Sequence, residues 1–320
     1  MFKKQITNIL GCKEHNTYFI FSGRVAINLI ARKNKKHGKV LIPEYICNVV
    51  DKAFIKEGYT VIRYPIDDNF EPSFEKIKEI ILKEKIDIIL FVSLYGSGKW
   101  INTIKEESLF LKLIRAKDIK LILDLAQDLS LINQFKEKLP MKTYIISSFN
   151  FKSIPNIMGG IIITKEKLDI QYKKLEFKNK FIIFKMFIIN YLDCKHKKLL
   201  EKYKRFRNIN NSSVIDDSYE YSECTIFPYQ FEHYKPTFLQ QYLAYIGIKK
   251  LDKYNKKKLQ FLNTIKVKKT PFYKTATYVI CDNNVSDSDR LKKPYAINNQ
   301  PNTSIYPELK ICSNRGYCNK

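Results

Sequence analysis

The sequence predicts an α/β fold, a largely parallel central sheet with helices on both faces, and three observations predict it. Strand-like and helix-like patterns alternate with crossover spacing from Ser22 to Thr164. The strand candidates are short β-branched-rich runs, apolar throughout, as strands buried on both faces are; LIL, YII and IIIT within 121–164 read as three such parallel strands. Residues able to do chemistry gather at the ends of these runs. Asp124, Ala126 and Gln127 follow the first, Ser147, Ser148 and then Lys152 follow the second, and Gly159-Gly160 precedes the third. In an open α/β sheet, ligands sit outside the carboxyl ends of the strands.

Each element has a local reason. Ser22 stands as N-cap to a helical pattern running to about Lys33, and the first amides after it, those of Gly23 and Arg24, make a natural seat for a phosphate. Val40–Ile42 is a strand closed by Pro43, followed by a loop with Tyr45 and a helix that Gly58 stops. Thr60–Tyr64 is the next strand, and Ser73 caps a helix to Lys83. Asp87–Val92, with the apolar centre IILFV, is a strand ending before Tyr95-Gly96, and 106–117 is helical. Residues 165–208 carry 14 Lys and Arg against 5 acids around the apolar run FIIFKMFIINYL. Such a segment is a helix packed on the protein or, as the alternative, a basic helix lying on a membrane surface. Asn208–Glu223 reads as a loop. Thr237–Phe261 is a long amphipathic helix with Leu239, Leu243, Ile246, Ile248 and Leu251 along it, and short strands and turns follow. The expected division is a large domain over 1–235 and a smaller C-terminal α+β domain over 236–320.

Composition narrows the function classes. A net charge of +25 would ordinarily raise nucleic acid as a partner. Here Lys, Ile and Asn are abundant throughout and no base-reading motif is visible, so negatively charged small substrates suit the surface better. The seven cysteines are scattered, odd in number and without a CxxC pair, which argues against a zinc site and for a reducing, cytoplasmic setting. No run of 18 apolar residues occurs, so at most a peripheral membrane contact is expected.

An acid, an amide, a hydroxyl and a lysine at strand ends suit pyridoxal 5'-phosphate. That cofactor needs a lysine for its Schiff base, a carboxylate to keep its ring nitrogen protonated, and donors around its phosphate. Lys152, Asp124 and Ser147 fill these roles in turn. Taken singly, each has a plainer reading: a lysine in a lysine-rich chain is usually solvated, and an Asp after a strand is usually a turn or cap.

The order of motifs resembles the DegT/DnrJ/EryC1/StrS family of aminotransferases that act on keto-sugars. SGRVAINLIA is similar to its phosphate loop and helix, LFVSLYGSG to its H-x-Y/F-G segment, and LILDLAQD to its D-x-A-Q motif. SSFNFKSIPNIMGGIIIT is similar to its S-F-x-x-x-K…G-G segment, and YKPTFLQQYLAYIGIKKLD to its N-x-R…Q-A-A helix. The resemblance spans about residues 18–262. It implies a fold-type-I transferase with a C-terminal domain that ends early, usually a homodimer. It also implies a nucleotide-linked keto-sugar and an amino-acid donor, glutamate first, as substrates, in surface polysaccharide or glycan synthesis. By the same resemblance Lys152 carries the cofactor and moves the proton, Asp124 pairs with the ring nitrogen, Gln127 meets the ring hydroxyl, and Ser147, Ser22, Gly23 and Arg24 surround the phosphate. The sequence departs from the family at Cys47, where a stacking aromatic is usual and Tyr45 is the nearby substitute, and at Asp128-Leu129-Ser130, which replaces His-Gly. It also departs at His233 and Lys235, which stand for a partner subunit's Asn and an Arg. A member that has kept the fold but only binds a sugar or a protein is the alternative.

Overall fold

A computed structural model describes residues 2–34, 37–67, 70–94, 98–106, 108–135, 142–149, 154, 159–195, 233–253, 255–256, 278–281 and 310–313. Lys152, Tyr95-Gly96 and the expected loop 208–223 lie outside the described residues, as does most of the chain beyond 256. Seven strands, β1 (Asn16–Ile20), β2 (Lys39–Pro43), β3 (Thr60–Tyr64), β4 (Ile88–Val92), β5 (Lys120–Asp124), β6 (Thr143–Ser148) and β7 (Gly160–Thr164), form one sheet in the order β1-β7-β6-β5-β4-β2-β3. Among the described residues the helices are α1 (Phe2–Ile9), α2 (Gly23–Asn34), α3 (Asn48–Ile55), α4 (Phe74–Lys83), α5 (Lys99–Glu106), α6 (Ser108–Ala116), α7 (Phe177–Lys195) and α8 (Phe238–Lys249). A separate antiparallel pair joins β8 (Tyr278–Cys281) to β9 (Lys310–Ser313).

The sheet is mixed. β3, β2, β4, β5 and β6 pair in parallel, whereas β7 runs antiparallel to both β6 and β1. The expectation that IIIT is a third parallel strand is therefore corrected. Only residues 149–159 join β6 to β7, and a parallel return needs a crossover of about a dozen residues or more, usually through a helix.

Alternation along the strands divides the core into two layers. Leu41, Ile89, Phe91, Leu121, Leu123, Ile145 and Ile161 pack against α1, α4, α5, α6 and α8. Val40, Ile42, Ile88, Leu90, Ile122, Ile146 and Ile162 pack against α2 and α3. A strand side chain points to alternate faces, so an unbroken run such as IILFV feeds both layers at once.

The caps explain the boundaries. The Ser22 hydroxyl accepts from Val25 N–H at 3.4 Å, which starts α2. Gly58 ends the turn after α3 at φ +81°, a conformation suited to glycine. Ser73 occupies the N-cap of α4 but makes no side-chain cap bond. α5 was not foreseen. Its N-terminal amides are capped by Glu71, which accepts from Gly98 N–H (2.9 Å) and Trp100 N–H (2.9 Å). Trp100 is core, stacked on Phe91 at 5.4 Å between centroids.

α8 begins with a capping box between Thr237 and Gln240. It buries Gln240, Ala244, Gly247 and Ile248 rather than the larger Leu239, Leu243 and Ile246, which are half-buried. The small stripe permits close approach: a Cβ on Gly247 would come 2.9 Å from Ile154. Phe2 of α1 stacks on Tyr245 of α8 at 5.4 Å. No helix among the described residues is long and apolar enough to cross a membrane.

Candidate active site

The carboxyl ends of β1, β5 and β6 meet at the start of α2. Gly160 lies between Ile20 of β1 and Ser148 of β6 in the ladder. Just before it, Gly159 (φ +98°) donates to Phe21 C=O at 2.7 Å and accepts from Phe149 N–H at 2.9 Å. These bonds tie the loop entering α2 to the end of β6. A Cβ on Gly23 would stand 3.0 Å from the Ser148 Cβ, so the first turn of α2 rests directly on Ser148. Arg24, half-buried, is the next residue of that turn. The start of a helix, at the positive end of its dipole, favours an anion here.

The pleat decides between the two serines. Ser148 shares parity with Ile146 and so belongs to the α2 face, whereas Ser147 points to the other. Ser147 is fully buried, and its hydroxyl donates to Leu125 C=O at 3.4 Å. The hydroxyl at the α2 terminus is thus that of Ser148, although spacing from Lys152 singles out Ser147. The Ser22 hydroxyl is engaged in capping α2.

Asp124 is the last residue of β5, between Val92 of β4 and Ile146 of β6. Its parity with Ile122 puts it on the same α2 face as Ser148. One carboxylate oxygen accepts from Ala126 N–H at 2.9 Å, and its own carbonyl accepts from Ser93 N–H at 3.0 Å. The carboxylate is therefore held by a turn that leads straight to Gln127, which is buried. Asp128 accepts from Ser130 N–H at 3.0 Å and starts a short 3-10 turn over Leu129–Phe135.

Tyr45 has another environment. Only 1 % of its surface is exposed, and its ring lies 5.8 Å from Phe70 within the layer under α2 and α3, so it presents no open face to a planar ring. His233, at the position where a partner subunit's Asn was expected, meets its own chain: its Nε2 lies 3.3 Å from the Asn28 amide oxygen. Asn28 in turn donates to Glu57 at 2.7 Å, and Arg32 pairs with Glu57 at 2.8 Å. Among the described residues no group of three or more His, Cys, Asp or Glu could hold a metal ion.

No protein-family profile matches the chain, and no curated protein does. Solved structures do. The histidinol-phosphate aminotransferase of Clostridium acetobutylicum matches over 98 % of this chain and 82 % of that one, with 19 % identity and a TM-score of 0.52. A Bacillus cereus ATCC 10987 protein described as a PLP-dependent aminotransferase matches over 98 % and 84 %, with 15 % identity and a TM-score of 0.55. The fold is that of the pyridoxal-phosphate aminotransferases. S. venezuelae DesV, solved in complex with a ketimine intermediate, is similar over 98 % of this chain and 82 % of its own, at 12 % identity and a TM-score of 0.55. Other structures match over a shorter stretch, in which this chain spans 43 % of the partner at a TM-score of 0.38.

Proposed function

We propose that the chain is a pyridoxal-phosphate-dependent aminotransferase that moves an amino group from an amino acid, glutamate first, to a keto-sugar carried on a nucleotide. The observation that carries this reading is the convergence of Asp124, Gln127, Ser148 and the α2 N-terminus on one edge of a sheet with this fold. The donor set suits the cofactor: helix amides, a hydroxyl and Arg24 for a dianionic phosphate, and a fixed carboxylate on the same face for a protonated ring nitrogen. When bound, that group supplies an electron sink for the substrate carbon that gains or loses the amine.

The chain's own residues do the rest. The amides of Gly23 and Arg24, with the Ser148 hydroxyl, hold the phosphate and fix the ring's position. Asp124, steadied by Ala126 N–H, holds a proton at the ring nitrogen. Gln127 donates to the ring hydroxyl. Lys152, which follows β6 in the sequence, would supply the amine that holds the cofactor and would carry the proton to and from the substrate carbon. A surface of +25 net charge attracts the polyphosphate of a nucleotide-linked sugar. A homodimer in the cytoplasm, feeding surface-polysaccharide or glycan synthesis, completes the proposal.

The test is an absorption spectrum of the purified chain with pyridoxal phosphate, beside Lys152→Ala. A near-visible band present in the wild type and lost in the variant supports the assignment. Tight binding of the phosphate without any such band would instead favour a fold kept for binding.

A further inference from the structure

α7 carries an exposed apolar stripe that the catalytic reading leaves unused. Phe177, Phe181, Phe184 and Ile188 are 83, 60, 51 and 38 % exposed. Their spacing of four, three and four places them in one line along the helix. The other side of α7 is the one that packs, with Ile183 buried and Phe187 partly buried against Phe21 and Leu175. Lys178 and Lys185 border the stripe on one side and Lys180 on the other, all three exposed, and no acidic residue occurs from Phe177 to Leu192. Single exposed apolar residues need no explanation; a line of three phenylalanines and an isoleucine does.

We propose that α7 lies in the plane of an anionic phospholipid surface. In that position the four apolar side chains enter the boundary between headgroups and acyl chains, and Lys178, Lys180 and Lys185 lie against lipid phosphates. An aromatic stripe with a lysine border is the pattern of an interfacial helix, and long lysine stems reach outward while their ammonium groups stay with the headgroups. Charge selects this occupant over a second copy of the chain. A two-fold contact through the stripe would set the same three lysines against one another in a molecule of +25 net charge, whereas an anionic bilayer neutralises them. The inference is independent of the chemistry proposed above.

The test is flotation of the full chain with phosphatidylcholine vesicles and with phosphatidylcholine–phosphatidylglycerol vesicles. The wild type is expected to float with the second and much less with the first. Phe181→Ser with Phe184→Ser should lower partitioning by roughly tenfold or more. Lys178→Gln, Lys180→Gln and Lys185→Gln together should lower it by roughly a hundredfold, about fivefold per lysine. Both variants should keep the wild-type thermal midpoint, because the altered side chains touch water. Flotation unchanged by the phenylalanine pair would overturn the proposal in favour of diffuse surface charge. A wild-type dimer that the same pair splits, with no flotation, would make the stripe a contact between copies. A fall of several degrees in the midpoint would mean that the chain itself covers the stripe.

Discussion

Ser147 and Ser148 are adjacent, alike and differently placed, and the difference is a matter of pleat. Counting back from Lys152 picks the first; the alternation that runs through Tyr144, Ile146 and Ser148 puts the second on the α2 face. The information was in the sequence, but only once β6 is known to end at Ser148. Removing Ser148's hydroxyl should weaken the phosphate's hold and leave the rest of the cofactor's contacts alone. Ser148→Ala is expected to lower the preference for pyridoxal phosphate over pyridoxal by roughly tenfold, the worth of one hydrogen bond to a charged group. Ser147→Ala should leave that preference unchanged and reduce stability by about 1 kcal/mol, since its hydroxyl bonds only within the core. Equal effects of the two changes on the preference would remove the distinction. Tyr45 teaches the complementary lesson: a suitable residue type near a strand end was legible, whereas its burial against Phe70 depends on contacts distant in sequence.

Helices and strands were legible where their signals were local. Ser22 and Gly58 marked the start of α2 and the end of α3 from adjacent residues, whereas the Thr237–Gln240 box that starts α8, though just as local, was not read from the sequence. α5 had no such mark, because its cap is Glu71, a residue from before α4. Burial pushes the Glu71 carboxyl up, against the pull of the amides that bond it. Two carboxylates that tie elements together, Glu57 and Glu166, behave oppositely. For Glu57, burial alone would raise the pKa, but hydrogen bonds from Arg32 and Asn28 bring it below its ordinary value and clamp α3 to α2. Glu166 is likewise resisted by burial and lowered by hydrogen bonds from Lys33 and Tyr144, which join β7's end to α2 and β6. A carboxyl whose pKa falls on folding stabilises the fold above its unfolded value, about 4.3 for Glu, and that contribution is lost as pH falls through the lowered one. Glu57→Gln with Glu166→Gln should therefore be less stable than wild type at neutral pH yet decline less between about pH 5 and pH 3. Urea midpoints across that range check this. Parallel acid limbs would place the acid sensitivity elsewhere. Glu71 contributes with the opposite sign, its stabilisation greatest at low pH and lost as pH rises through its raised value.

At the scale of the molecule, the alternation of strands and helices was enough to predict a sheet covered on both faces, since every crossover leaves its own amphipathic helix in the sequence. Strand direction was not, because IIIT reads the same in either sense; the short link over 149–159 is what turns β7 around. The buried stripe of α8 was read only in part: Ile248 and Leu251 are buried as expected, whereas Gly247 gains its place from close approach to Ile154, which no hydrophobic count anticipates. What the order of motifs implied is that the start of α2 and the ends of β5 and β6 share one site, and on that edge the functional account rests; β1, at the same edge, was not read from the sequence. Its central claim is that this edge moves an amino group. The direct measurement is a single turnover with glutamate: wild-type protein loaded with pyridoxal phosphate, mixed with glutamate, and assayed for 2-oxoglutarate without any acceptor. The account predicts about one equivalent of 2-oxoglutarate per occupied site and none from Lys152→Ala. Cofactor bound at every site with no 2-oxoglutarate formed from glutamate, nor the matching keto acid from any other amino acid, would contradict it.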